Sequence, residues 1–254
     1  MKQFTDIFNQ IAYRHDFMRV FDDFLTLAIC CFSCGRMEDI YLSTIKGYSK
    51  DEIKNFSFLL GSLILDYEKQ ANNAGAWYDG LGDFFMENNS KFGQDAKGQF
   101  FTPEPVCDMI ARMNFEGDNR EERHILDPAA GSGRMLIAFD RQDANFRFQN
   151  FYVAADIDSR CIKMCTLNFC LYGLKGAIIH MDSLKMEIWG GYRVFMPETG
   201  LGVKPLDKME CMQFIFQPTG EIKVNSEHPP EPNPVLKPVK LELIPERVFQ
   251  LSLF

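Results

Sequence analysis

The stretch HILDPAAGSGRML, residues His124–Leu136, carries the strongest signal in the sequence. A short apolar run ends in Asp127, a loop of small residues with two glycines follows, and the pattern then becomes helical. A strand that leads through such a loop into a helix places several backbone N–H groups at the helix N-terminus. Glycines let a ligand approach the main chain because they carry no Cβ. The stretch therefore predicts a ligand-binding turn between a strand and a helix.

Strands and helices alternate after this turn. The stretch FYVAAD (Phe151–Asp156) reads as a second strand, DSRCIKMCTLNFCLYG as a helix that ends near Gly173, and AIIHMD (Ala177–Asp182) as a third strand. This β-α-β-α-β order predicts an α/β fold with a parallel sheet and right-handed crossovers.

Acidic residues end all three predicted strands. Asp127 ends the first strand, Asp156 follows Gly131 by 25 residues, and Asp182 ends the third strand. A carboxylate at about that spacing takes the ribose hydroxyls of nucleotide-like ligands. The dinucleotide fingerprint lacks its third glycine, because Leu136 stands there, and no P-loop is present. S-adenosylmethionine (SAM) is the nucleotide-like ligand that still fits, while a turn that only lets the helix pack closely is the structural alternative.

The residues before this region read as helices, with apolar positions at helical spacing through about residue 89. Ser49 is a predicted helix cap, as is Thr102, after which Pro103 fits a first helical turn. After Asp182 the segments GGYRVFM and MQFIF look like strands, and EIKVN is expected to pair with MQFIF in a hairpin across QPTG. The segment 225–254 holds six prolines, so we expect extended structure there. The predicted divisions are a helical region 1–96, an α/β domain 97–224 and this C-terminal segment.

Composition limits the classes of function. The net charge of −8 argues against strong unaided binding to nucleic acid. Eight cysteines and four scattered histidines lack the paired spacing of a zinc site, so we expect reduced thiols, no disulfide and no metal. No apolar run reaches the roughly 20 residues of a membrane span, and the N-terminus lacks a signal-peptide pattern, which predicts a cytoplasmic protein without a membrane partner.

Four segments together resemble adenine-specific DNA methylases, in particular the methylation subunits of type I restriction–modification systems. The resemblance runs from about Trp77 to Leu184 and rests on GQFFTPEPVCDMIARM, ILDPAAGSGRML, AADIDSRCIKMCTLNFCLYG and IIHMDSL. It implies a Rossmann-like SAM-dependent methyltransferase sheet, shortened here and preceded by the helical region. It also implies DNA as the partner, contacted through a specificity chain.

The resemblance implies roles for ten cofactor-binding residues. Asp156 corresponds to the ribose-binding acid, and Asp182 to the acid that accepts a hydrogen bond from the adenine amino group of SAM. The remaining positions correspond to the segment and the loop around the methionine end of SAM: Phe101, Thr102, Pro103, Asp127, Pro128, Ala129, Gly131 and Gly133.

The catalytic motif of these methylases, Asn or Asp followed by Pro-Pro and Tyr or Phe, does not occur in the sequence. Its acceptor groups and aromatic ring hold a flipped adenine for attack on the methyl group. Gln217-Pro218 in MQFIFQPTG is the candidate that partly matches this motif. VNSEHPPEP contains the consecutive pair Pro229-Pro230 but neither the acceptor nor the aromatic ring. About seventy residues follow Asp182, too few for the remaining strands of a complete methylase sheet and a DNA-reading domain.

Three hypotheses follow. The chain is a divergent or truncated adenine methylase that another chain directs to its target, a non-catalytic SAM-binding scaffold, or a methyltransferase with another acceptor. We expect residues 225–254, with apolar ends that need cover, to contact a second copy or another chain.

Overall fold

The computed structural model describes residues 1–71, 77–89, 101–115, 124–142, 150–196 and 200–216. The predicted hairpin strand EIKVN, residues Gln217 and Pro218, the segment 225–254 and the boundary between 96 and 97 lie outside these residues. Within the described residues, six helices precede the first strand: α1 (Lys2–Ala12), α2 (Phe17–Phe32), α3 (Glu38–Ile45), α4 (Lys50–Ala71), α5 (Gly80–Asn89) and α6 (Glu104–Asn114).

Capping side chains explain where the first helices begin. The Asp16 side chain accepts a hydrogen bond from the backbone N–H of Arg19 at 2.8 Å, which separates α2 from α1. At the start of α4, Ser49 Oγ accepts from the Glu52 N–H, and Glu52 Oε2 accepts from the Ser49 N–H at 2.8 Å. This reciprocal pair is a capping box, and it confirms the predicted cap at Ser49.

In the part of the chain that the structure describes, five strands form one mixed sheet in the order β1-β2-β3-β4-β5. The first three pair in parallel as the alternating pattern predicts, whereas the last two are antiparallel to their neighbours. The strand GGYRVFM was predicted, but the fifth strand, with a proline in an edge position, was not. The strands and the helices that follow β1 are β1 (His124–Asp127), α7 (Arg134–Gln142), β2 (Phe151–Asp156), α8 (Ser159–Tyr172), β3 (Gly176–Asp182), β4 (Glu187–Phe195), β5 (Gly202–Leu206) and α9 (Lys208–Phe216).

The prediction that MQFIF is a strand is wrong, because these residues end helix α9. Asp207 Oδ1 accepts from the Glu210 N–H at 2.8 Å, and Glu210 Oε2 accepts from the Asp207 N–H at 3.0 Å. This second capping box starts the helix, and it outweighs the β-propensity of the apolar residues in MQFIF. The hairpin predicted from MQFIF is therefore wrong as well.

The cap predicted at Thr102 is displaced by one residue. Pro103 occupies the N-cap position of α6, no side chain caps the helix, and Glu104 is its first residue. The Pro103 carbonyl accepts from the N–H groups of Val106 and Cys107. The helix is thus started by main-chain bonds, while the Thr102 side chain stays exposed.

The sheet is covered differently on its two faces. One face packs on α8, α7 and the N-terminal helices in a continuous apolar core that includes Phe24, Leu63 and Phe169. The other face is smaller and packs on α9, where the Phe214 ring stacks on Phe151 at 5.5 Å between centroids. The N-terminal helices and this face of the sheet therefore share one apolar core.

No two cysteines of the described ranges are joined in a disulfide, and the cysteines of α8 are buried. Burial raises the pKa of the Cys165 and Cys170 thiols, so they stay protonated near neutral pH. Among the described residues, no three His, Cys, Asp or Glu side chains lie close enough to hold a metal ion. In the same residues, no helix combines the length and hydropathy that crossing a membrane requires.

Candidate cofactor-binding site

The glycine loop between β1 and α7 has the backbone conformation that its sequence predicts. Gly131 and Gly133 have φ angles of +55° and +92°, which residues other than glycine rarely adopt. A Cβ on Gly131 would lie 2.9 Å from the ring of Phe101, and one on Gly133 would lie 2.9 Å from Cys165 Sγ. Both glycines are therefore required by a close approach as well as by the turn.

Asp156 anchors this loop to the end of β2. Its Oδ2 accepts a hydrogen bond from the Gly131 N–H at 2.8 Å, and its Oδ1 accepts from the Asp158 N–H at 2.9 Å. The Ala130 N–H also donates to the Ala155 carbonyl at 2.9 Å. Two of the N–H groups that the sequence predicts at the helix N-terminus are thus bonded to β2. A carboxylate has about four lone-pair sites, so Asp156 retains acceptor capacity for a ligand.

Asp127 lies partly buried at the end of β1, where its Oδ1 accepts from the Ala129 N–H at 3.1 Å. Burial is the main cause that raises the pKa of its carboxyl above the ordinary value, and the nearby charge of Asp156 acts in the same direction. The fold therefore disfavours the ionised form of Asp127, and a cationic group of a bound ligand would favour that form again.

We expect Asp127→Asn to raise the free energy of unfolding at pH 7.5. A carboxyl whose pKa is raised by folding costs stability once the pH exceeds that pKa, and the cost disappears as the pH falls below the ordinary value of 3.8. The asparagine keeps the oxygen that accepts from Ala129, so the charge is the main change. Urea unfolding across this pH range measures the effect.

The matched control is Asp6→Asn, which removes an exposed negative charge on α1. The gain for Asp127→Asn should exceed that of the control at pH 7.5 and shrink toward pH 4. A gain that is equal in the two variants, or independent of pH, would contradict the assignment.

Asp182 lies at the end of β3, where it closes the turn toward β4. Its Oδ1 accepts from the N–H groups of Leu184 and Lys185, both at 3.0 Å. The hydrogen bond from the Lys185 N–H is the main cause that lowers the pKa of the Asp182 carboxyl, so it is ionised at neutral pH. The adjoining Ser183 donates its hydroxyl to the Pro128 carbonyl at 2.6 Å. Together with the Asp156 contact, this bond joins the ends of all three parallel strands.

Phe101 lies directly over the glycine loop. Its ring is buried and stacks on the ring of Phe85, with 6.0 Å between the ring centroids. A Cβ on Gly131 would contact this ring. Thr102 and Pro103 are exposed beside it, as are Pro128 and Ala129 of the loop.

Two large apolar side chains are exposed next to the acids. Ile157 follows Asp156 and is 61% exposed, and Leu184 stands two residues after Asp182 and is 98% exposed. Apolar side chains in these positions can cover the faces of a planar ring whose polar edge the carboxylates bind. Neither residue was predicted to belong to the site, although each lies within two residues of a strand-ending acid, which was a usable signal.

The buried polar residues that support the loop were not predicted. Asp79, Arg134 and Asn168 are all buried. Arg134 and Asn168 donate to the Asp79 carboxylate, and Asn168 also donates to the Ser132 carbonyl. The available signal was weak: Asp79 stands in the apolar stretch WYDGLGDFF, and Arg134 directly follows Gly133. Nothing in the spacing shows that residues 55 positions apart form an ion pair.

Comparison with known proteins agrees with the resemblance noted from the motifs. Residues 75–196, somewhat less than half of the chain, match the family model of the N-6 DNA methylases. This match confirms the predicted resemblance to adenine-specific DNA methylases and contains all ten predicted cofactor-binding positions. The roles of those ten residues remain predictions.

A solved structure also matches part of the chain. It is the type I restriction-modification system methyltransferase subunit from Streptococcus thermophilus, with 22% sequence identity and a TM-score of 0.33. The match covers 52% of this chain and 27% of that one. The chain thus spans about a quarter of the length of that subunit.

Proposed function

We propose that the chain binds SAM at the carboxyl ends of β1, β2 and β3. One observation carries this proposal. Three strands that end in acids are joined by hydrogen bonds around one loop, and a Cβ on either glycine of that loop would be too close to a neighbouring side chain. These elements all lie within the segment that matches the N-6 DNA methylases.

The residues at the site fit the parts of SAM. Asp156 and Asp182 can accept hydrogen bonds from the ribose hydroxyls and from the adenine amino group, and Ile157 and Leu184 can cover the adenine ring. The partly buried carboxyl of Asp127, whose pKa burial raises, suits the cationic methionine end. Phe101, Thr102 and Pro103 border that end of the site. SAM, when bound, supplies a methyl group activated by its sulfonium.

We propose that the methyl acceptor is the amino group of adenine in DNA, and that another chain reads the target sequence. Support comes from the family match, and from the net charge of −8, which disfavours strong DNA binding by this chain alone. The absence of the usual catalytic motif from the printed sequence keeps a second function open, a SAM-binding module without its own transferase activity. The free thiols suit a reducing cytosol, which is the proposed location.

Asp156→Ala is expected to weaken SAM binding by about 1–3 kcal/mol, the cost of leaving polar groups without partners. The alanine removes the ribose acceptor and also the oxygen that holds the Gly131 N–H. Isothermal titration calorimetry with SAM and with S-adenosylhomocysteine measures the loss.

Two variants separate these contributions. Asp156→Asn keeps an oxygen for Gly131 but loses the charge, so its affinity should lie between those of the wild type and the alanine variant. Asp6→Asn, which changes an exposed residue on α1, should bind like the wild type. If the wild-type protein fails to bind either compound at millimolar concentration, the proposed cofactor is wrong.

A further inference from the structure

A buried ionic network lies between the helical region and the glycine loop. Asp79, which is fully buried, accepts four hydrogen bonds. The donors to Oδ1 are the Gly82 N–H and Asn168 Nδ2, both at 2.9 Å, and those to Oδ2 are Ser132 Oγ at 2.5 Å and Arg134 Nε at 2.6 Å. All the acceptor sites of the carboxylate are thus occupied, which a buried charge requires. We call these side chains, Asp79, Ser132, Arg134 and Asn168, the Asp79 network.

Arg134 extends this network to the segment beside the glycine loop. Its side chain is only 6% exposed, and its second terminal nitrogen donates to Asp83 Oδ1 at 2.5 Å. The guanidinium carbon lies 5.5 Å from the centre of the Phe101 ring, and NH1 contacts the Thr102 carbonyl at 3.5 Å. One side chain at the first turn of α7 therefore contacts α5, the ring of Phe101 and the main chain of Thr102.

These contacts determine how Phe101 lies on the loop. The ring lies 2.9 Å from the position that a Cβ on Gly131 would take, with Phe85 stacked against it and Arg134 beside it. A planar guanidinium presents five N–H donors in a fixed fork and stacks on aromatic rings, whereas a lysine ammonium is a compact point charge without this fixed geometry. The identity of the residue at 134 therefore affects the geometry of a segment more than thirty residues earlier in the chain.

We propose that Arg134 is a positioning residue for the cofactor site. Held by Asp79 and Asp83, it fixes Phe101 and Thr102 against the glycine loop, so that the segment borders the methionine end of SAM in a single arrangement. The inference rests on the proposed function for its ligand. Helices α5 and α8 carry none of the predicted cofactor-binding residues, yet through Asp83 and Asn168 they would contribute to cofactor affinity.

The test compares two variants of the same network. Arg134→Lys keeps a positive charge beside Asp79 but loses the contacts to Phe101 and Thr102, and we expect SAM affinity to fall by about tenfold or more. Tyr67→Phe removes the hydroxyl that donates to Asn168 Oδ1 at 2.6 Å, so it perturbs the network without touching Phe101 or Thr102. Its affinity should stay within about twofold of the wild type even if its thermal stability falls.

Hydrogen exchange supplies a readout that needs no ligand. In Arg134→Lys the amides of residues 101–107 should exchange faster than in the wild type, while those of β2 should not change. Tyr67→Phe should leave residues 101–107 unchanged. If Arg134→Lys does not fold, Asp83→Asn, which removes a half-exposed partner of the guanidinium, should shift both readouts in the same direction by a smaller factor.

The outcomes separate this inference from the proposed function. If the wild type does not bind SAM but Arg134→Lys speeds exchange in residues 101–107, the cofactor proposal fails and the positioning role stands. If the wild type binds SAM and Arg134→Lys matches it in affinity and exchange, the positioning role is wrong. Equal loss of affinity in Arg134→Lys and Tyr67→Phe would also contradict it, because the network would then act only through stability.

Discussion

Phe84→Ala is expected to lower the free energy of unfolding by about 3–5 kcal/mol, the range for removing a buried aromatic side chain. Phe84 is 3% exposed and lies at the centre of an aromatic cluster. Its ring centroid is 5.1 Å from that of Phe4, 5.0 Å from Phe8, 5.7 Å from Phe17 and 5.6 Å from Phe21. The surrounding rings belong to two other helices, so they cannot close the cavity without moving both.

Urea unfolding followed by circular dichroism and by tryptophan fluorescence measures this loss. Tyr13→Ala is the control, because Tyr13 is 88% exposed and its removal should change stability by no more than about 0.5 kcal/mol. Since Asp79, which directly precedes α5, contacts the glycine loop, both probes should report one transition. A loss below about 1 kcal/mol, or separate transitions for the two probes, would show that the aromatic cluster does not stabilise the sheet region.

Features that depend on neighbours in the sequence were predictable. The helix cap at Ser49 is a short local pattern, and the strand-ending acids Asp127, Asp156 and Asp182 follow from the alternation of apolar and helical segments. Each is a local property of the chain, and each is found in the structure where it was expected.

One local pattern was overlooked, and the features that depend on distant pairing were not predictable. The five residues MQFIF are too few to separate a strand from a buried helix by periodicity, and the capping box of Asp207 and Glu210 just before them was overlooked. The antiparallel direction of β4 depends on the turn after Asp182, since the chain reverses there without a crossover helix. A buried charge such as Asp79 needs partners, but the sequence does not say which ones.

The second large effect concerns catalysis. We expect the isolated chain of 254 residues to transfer little or no methyl from SAM to DNA. An adenine amino group needs acceptors on its N–H bonds and an aromatic ring to hold the flipped base, and the motif that supplies these in the resembled methylases is absent from the sequence. Orientation of this kind contributes about 7–11 kcal/mol, so its loss corresponds to roughly 10⁵–10⁸ in rate.

The assay incubates purified protein and radiolabelled SAM with adenine-rich duplex and single-stranded DNA, with Asp156→Ala as the background control. Because that variant loses an acceptor at the cofactor site, incorporation above its level would have to come from bound SAM. Incorporation into adenine at a rate typical of enzymes, about 1 s⁻¹ or more, would exclude the non-catalytic function. Gln217→Ala would then test the weak candidate motif, since loss of activity in that variant would assign the acceptor role to QPTG. Binding of SAM without transfer would instead leave the donor half of a methyltransferase site in this chain, with its acceptor half to be sought in a partner.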